Sequence, residues 1–132
     1  MKISENSEEY LELLWMLEEE GVKKVKISDI ARRLKISAPS VVEMLWKLKK
    51  ACLVEYGKKS GARLTKKGRS MGKRIVRNHR IAELLLTDIL NVKLDEKATC
   101  GIEHHISDDI SRAVFRILNN PKKCPHGKII PR

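Results

Sequence analysis

The chain has 132 residues, the length of one ordinary domain or two very small ones, which excludes a multidomain enzyme. Hydrophobic residues make up 42% but aromatic ones only 4%, so the core must be aliphatic, and no apolar run approaches the ~20 residues of a membrane span. The formal net charge is +11, and three widely spaced cysteines (Cys52, Cys100, Cys124) make a poor disulfide framework, which excludes a secreted toxin or growth factor and fits a reducing cytosol.

The opening Met1-Lys2-Ile3-Ser4-Glu5 does not start a secretion signal. Ser7 is the expected cap of a first helix with Tyr10, Leu11, Leu14 and Leu17 on its apolar side, stopped by Gly21. Ser28 is read as the cap of a short second helix, with Ile30, Ala31 and Leu34 inward and Arg32, Arg33 and Lys35 outward or at its end. Ser37 caps a third, with Pro39 tolerated in its first turn and Val41, Leu45 and Leu48 forming one stripe. Two helices joined by a tight polar turn suggest helix-turn-helix. Residues 53–56 and 62–64 then read as two strands around the turn Gly57-Lys58-Lys59-Ser60-Gly61, a basic wing.

Thr65 is expected to cap a long helix from about residue 66 to 90, with Met71, Ile75, Ala82, Leu86 and Ile89 on its apolar face. Asn91 ends it, Asp95 caps a helix through about 106, and Ser107 caps a last one with Ile110, Val114 and Ile117 inward. From Asn119 onward the chain reads as loop. The fold class is therefore mainly α, a winged helix-turn-helix followed by an all-helical half, with the boundary inside the long helix near residue 70: domains 1–70 and 71–132.

The charge is segregated: residues 1–21 carry −6, 22–80 carry +16 and 81–132 carry +1. A basic segment of that size attracts polyanions, whereas the alternative is a solvated lysine-rich surface. In a helix-turn-helix the N-terminal residues of the second helix face base edges in the major groove, here Ser37, Ala38, Pro39, Ser40 and Glu43. Lys47, Lys58, Lys59 and Arg63 are read as phosphate contacts, which position the protein without specifying sequence.

Cys100, Glu103 and His104 stand at i, i+3 and i+4, one face of a helix, and His79 and Glu83 are likewise four apart. Thiolate, imidazole and carboxylate together suit a divalent transition ion, Fe(II), Mn(II), Co(II), Ni(II) or Zn(II), better than Ca(II) or Mg(II). Surface ion pairing and a small core cysteine are the alternatives. Cys124-Pro125-His126-Gly127 offers two groups that can bind metal or react, but a two-ligand turn in a Pro/Gly-rich loop is read as structural, and no catalytic constellation is present, so no enzyme is expected.

Taken together, Glu9-Tyr10-Leu11 with Leu17-Glu18-Glu19, Ser28-Asp29-Ile30-Ala31, Ser40-Val41 through Leu53-Val54, Leu64-Thr65-x-x-Gly68, His79-Arg80-x-x-Glu83, Cys100-x-x-Glu103-His104-x-Ile106-Ser107-Asp108 and Pro125-His126-Gly127 resemble the iron- and manganese-dependent repressors typified by the diphtheria toxin repressor. The resemblance spans essentially the whole chain. It implies a winged-helix DNA-binding domain followed by a metal-binding and dimerisation domain, without the SH3-like third domain of longer members.

By position, it implies a main metal site of Cys100, Glu103, His104 and Glu9, and a second of His79 and Glu83. Glu12 matches a further ligand position of the manganese branch, and His79 belongs to that branch's two-metal cluster. The manganese branch usually has a carboxylate where Cys100 stands; the iron branch usually has Met where Glu9 stands and His where Glu96 stands. The expected cofactor is Fe(II) or Mn(II), with other divalent transition metals able to substitute in vitro. The expected function is a cytoplasmic, homodimeric, metal-activated repressor of metal homeostasis genes, with no membrane partner, acting on a palindromic double-stranded operator. A winged-helix regulator that needs no metal, and a metal-binding protein whose basic half is incidental, are the alternative readings.

Overall fold

The computed structural model describes residues 3–132; Met1 and Lys2, the start of the stretch read against a secretion signal, lie outside the described residues. The order is α1 (Glu5–Glu19), α2 (Ile27–Leu34), α3 (Ala38–Lys50), β1 (Val54–Gly57), β2 (Gly61–Leu64), α4 (Lys66–Leu84), a π-helical turn (Leu85–Ile89), α5 (Glu96–Glu103) and α6 (Asp108–Ile117). The chain is mainly helical with one two-stranded sheet, and it divides into two compact units, Met1–Lys73 and Arg74–Arg132. No helix among the described residues is long and apolar enough to cross a membrane.

In the first unit, α1 starts one turn earlier than expected. Ser4 is the cap, its Oγ accepting the Ser7 N–H at 3.1 Å, and Ser7 lies inside the helix. Glu5 and Glu8 in the first turn favour that start, since carboxylates complement the partial positive charge there. α2 likewise begins ahead of Ser28: Lys26 is the cap residue, and its N–H donates to the Asp29 carboxylate at 3.0 Å, the reciprocal half of a capping box. At Ser37 the expected cap is present, accepting the Ser40 N–H at 3.3 Å. The stripe Val41, Leu45 and Leu48 is buried, as are Ile30 of α2 and Tyr10, Leu11, Leu14 and Leu17 of α1.

The wing is an antiparallel hairpin registered Val54 with Leu64 and Gly57 with Gly61. Val25, ahead of α2, adds a bridge by accepting the Ala62 N–H at 2.8 Å. Thr65 closes the wing onto α4: its Oγ1 donates to the Cys52 carbonyl at 2.7 Å and accepts the Gly68 N–H at 3.0 Å. The Gly68 Cα lies so near the Leu53 carbonyl that a methyl group there would overlap it.

In the second unit, Ile81, Leu84, Val114, Phe115 and Ile130 form the core. The long helix is not continuous to residue 90: beyond Leu84 it widens into a π-helical turn, with the Leu90 N–H bonded to the Leu85 carbonyl at 2.9 Å, and Asn91 ends it in the left-handed region. Asp95 caps α5 as expected, accepting the Lys97 and Ala98 N–H groups, but α5 stops at Glu103 rather than 106. Ser107 caps α6, accepting the Ile110 N–H at 3.2 Å.

The inward face of α6 differs from expectation. Ser111, Val114 and Phe115 are buried, while Ile110 and Ile117 are 46% and 68% exposed, because the stripe beginning at Ser111 is the one that meets the core. The tail, expected as loop, is held by a turn in which Cys124 N–H donates to the Lys128 carbonyl and Ile130 N–H to the Lys122 carbonyl, both at 2.9 Å. That turn places Cys124 and Ile130 in the buried set.

Gly68→Ala is expected to cost about 2–3 kcal/mol, because the neighbour that must move is backbone. Gly101, interior to α5 with open space around its Cα, should instead gain about 0.5–1 kcal/mol on substitution by Ala. Urea melts of the two variants should shift in opposite directions.

Candidate nucleic-acid interface and metal centre

Ser37, Ala38, Pro39, Ser40 and Glu43 all stand exposed at the start of α3. Part of their polar capacity is already engaged: the Ser37 and Ser40 hydroxyls lie 2.9 Å apart, and Glu43 faces Lys47 at 3.7 Å. Such an exposed pair is weak and exchanges readily for another partner. Lys58, Lys59 and Arg63 are exposed on the wing, Arg63 paired in register with Glu55. The surface of α3 and the wing is thus dense in cations with small groups at the helix tip, suited to close approach by an anionic backbone.

In the second unit the polar residues of α4 converge with two other segments. His79 Nδ1 lies 3.0 Å from Glu103 Oε1 of α5, and its Nε2 lies 3.8 Å from Glu83 Oε1 and 3.7 Å from Glu96 Oε2. Glu83 is 2% exposed. Its second oxygen, Oε2, stands 2.9 Å from His126 Nδ1. Ligand atoms of Glu83, Cys124 and His126 all fall within 4.8 Å of one another, and so do those of His79, Glu83 and Glu96. Cys100 Sγ and His104 Nε2 are 3.7 Å apart, while Glu103, at 3% exposure, turns its carboxylate toward His79. Glu9 and Glu12 sit on α1, in the first unit.

Burial pushes the Glu83 carboxyl above the usual carboxylate range and Glu96 adds to the rise, whereas His79, His126 and Arg80 pull it back. Thiol, imidazole and buried carboxylate within mutual reach form a donor set that fits a divalent transition ion. Of these residues, His79, Glu83, Cys100, Glu103 and His104 are expected from sequence; Glu96 stands at a position where the branches differ, and Cys124 and His126 are not expected as ligands. The Cys-x-His spacing was the available signal, and only the fold brings it to Glu83.

A winged helix-turn-helix followed by a helical unit bearing clustered histidine, cysteine and carboxylate side chains defines the class. Residues 2–62 match the iron dependent repressor N-terminal DNA binding domain, and residues 65–132 match the iron dependent repressor metal binding and dimerisation domain. The chain is 36% identical to the iron-dependent repressor IdeR of Mycobacterium leprae over 96% of its own length and 56% of that protein's. It is 33% identical to the diphtheria toxin repressor of Corynebacterium diphtheriae, over 96% of this chain and 57% of the relative. Among solved structures, the manganese regulator SloR superposes with a TM-score of 0.85 at 36% identity, covering 98% of this chain and 61% of that one. A hypothetical protein of Sulfolobus solfataricus, SSo2273, superposes with a TM-score of 0.70 at 29% identity, covering 98% of this chain and 100% of that one. The chain belongs to the iron-dependent repressor family, and it spans about half the length of the two curated relatives.

Because the folded Glu83 pKa lies above its unfolded value near 4.5, the folded state binds the extra proton, and stability falls as pH rises through the window between the two. Glu83→Gln is therefore expected to melt higher than the unsubstituted protein in chelator at neutral pH. The gap should narrow as pH falls toward 4.5. Thermal melts across that range check both.

Proposed function

We propose that this protein is a metal-activated, DNA-binding transcriptional repressor of metal homeostasis genes, acting in the cytoplasm as a homodimer on a palindromic operator. Residues 1–70 are taken as the DNA-binding domain and 71–132 as the metal-binding and dimerisation domain. The observation that carries the reading is the cluster of His79, Glu83, Cys124 and His126 around a buried carboxylate, in a chain whose other unit is a basic winged helix. The names of the relatives, iron-dependent repressor and manganese regulator, support Fe(II) or Mn(II) as the activating ion. No catalytic role is proposed.

Ser37, Ala38, Pro39, Ser40 and Glu43 are assigned to base edges, and Lys47, Lys58, Lys59 and Arg63 to phosphates. Cys100, Glu103 and His104 are proposed ligands of one ion, and His79 and Glu83 of a second. Glu9 and Glu12 are proposed ligands on the strength of the resemblance alone. Glu96, Cys124 and His126 join the second set because their donor atoms stand within ligand distance of Glu83 or His79. A bound divalent ion supplies positive charge that offsets these carboxylates. The residues' part is to present deprotonated donors from separate segments, so that the closed arrangement binds the ion more tightly than the open one and is favoured by it.

The test is retention of fragmented genomic DNA by the purified protein under anaerobic conditions, comparing chelator with added Fe(II) or Mn(II). Selective capture only with metal is expected, together with its loss in His104→Ala while fold and dimer persist. Equal capture with and without metal, or in His104→Ala, would favour the metal-independent regulator. The log of affinity should fall linearly with log salt, by about 0.9 for each phosphate neutralised, and absence of such a slope would favour a metal-binding protein with an incidental basic half.

Metal counting gives a further check. Cys124→Ser should lower the number of tightly held Fe(II) or Co(II) ions per chain while leaving that held by Cys100 and His104 intact. An unchanged count would return Cys124 to a structural role.

A further inference from the structure

Along α3 the residues Pro39, Glu43, Trp46 and Lys50 recur at steps of four, three and four, the spacing that places them on one face of a helix. All four are exposed, on the side away from the buried Val41, Leu45 and Leu48. Trp46 therefore continues the same stripe that carries the proposed base-edge residues Pro39 and Glu43. It is 52% exposed, an uncommon position for an indole in a chain with only two tryptophans.

The ring is held in place. Tyr56 of β1 meets it edge-on, with ring centres 6.3 Å apart and planes at 88°. The Lys49 ammonium lies 4.8 Å from the indole centre and donates to the Tyr56 carbonyl at 3.4 Å. Helix and wing are thereby tied together around an aromatic surface whose open face is already oriented, which lowers the ordering cost of any contact it makes. Its surroundings are cationic: Lys47, Lys49 and Lys50 on α3, Lys58 and Lys59 on the wing, against Glu43, which faces Lys47, and Glu55. Two copies of such a face would repel, so charge complementarity selects a polyanion.

Residue 46 lies about 10 Å along the helix axis from residue 39. With the tip of α3 at the base edges, that distance brings the indole to the rim of the groove, where the sugar–phosphate backbone runs. We propose that Trp46, fixed by Tyr56 and Lys49, packs its indole against the deoxyribose–phosphate backbone of duplex DNA and donates its Nε1–H to a phosphate oxygen, a sequence-independent contact that seats α3. This rests on the DNA-binding reading above, and it adds an anchor that is neither a base reader nor a lysine.

The test uses the full chain at constant saturating metal and a short random-sequence duplex carrying a fluorophore. Anisotropy of the duplex reports binding. In Trp15→Phe, Trp46 is the sole tryptophan, and its emission should shift to shorter wavelength and become less accessible to acrylamide along the same titration curve. Trp46→Ala should weaken binding about fivefold, Trp46→Phe less, with the salt slope little changed, since the neutral indole neutralises no phosphate. Lys50→Ala should instead lower the slope by about one.

Binding seen by anisotropy with Trp46 emission unaltered, or undiminished binding by Trp46→Ala, would overturn the proposal while leaving the DNA reading standing. Absence of binding by the unsubstituted protein would overturn both. Concentration-dependent burial of Trp46 without DNA would assign the face to a second copy and overturn the contact proposed.

Discussion

The second unit is organised around the burial of a carboxylate at the centre of its polar face, Glu83 of α4. Glu83 is almost wholly removed from water, and its two oxygens face different neighbours, His79 on one side and His126 on the other. An unpaired carboxylate at such a position costs several kcal/mol, so the residues around it serve first to make its burial tolerable. Other polar residues of α4 serve the same arrangement: Asn78 donates to the Ile106 carbonyl between α5 and α6, and Arg80 donates to the Ile129 carbonyl in the tail. These bonds hold the two segments that bring Glu103 and His126 to the α4 surface. A polar face of one helix, unusual as a core, thus organises the remainder of the unit, and Ile81, Leu84, Val114, Phe115 and Ile130 supply the apolar complement beside it.

The same dependence explains what could be read from the sequence. Caps at Ser37, Thr65, Asp95 and Ser107 were legible because a short polar side chain acts within three residues of itself. Ser7 and Ser28 were misplaced where a second polar group one turn or less away competed for the role, and Asp29 supplied the deciding hydrogen bond at α2. On α6 two stripes were available, and the one carrying Ser111, Val114 and Phe115 won because Val114 and Phe115 join Ile81, Leu84 and Ile130 in the core; periodicity alone favoured the isoleucines. Pairs at helical spacing, His79 with Glu83 and Cys100 with His104, could be seen directly. Cys124 and His126 could not, because their partner lies far back on α4 and a turn in the tail closes the distance.

In the first unit the logic is different, since the buried polar and charged residues among those described all lie in the second. Under the proposed function, the first turn of α3 would offer the bases Ala38, Pro39 and Ser40, which have few groups for directed hydrogen bonds, and the Ser37 hydroxyl is engaged in capping. Affinity from such a surface must come mainly from cations and from shape. The wing hairpin, bridged to Val25 and latched by Thr65 to the start of α4, fixes where Lys58, Lys59 and Arg63 stand relative to α3.

That electrostatic attraction is permanent. Residues 22–80 carry a formal +16 at pH 7, and binding one or two divalent ions through His79 and residues beyond this segment would change the total only modestly. Under the proposed function, control therefore has to act on geometry: on whether two copies of the winged helix can engage successive major grooves together, so that the second contact becomes intramolecular. Weak, sequence-poor contacts suit such control. A single winged helix that bound tightly by itself would hold DNA whether or not its partner was aligned, whereas modest individual affinity makes occupancy depend steeply on alignment. On that reading the short side chains at the tip of α3 are as necessary to regulation as the proposed ligands, because an ion can shift the equilibrium only by the difference in its affinity for the two arrangements.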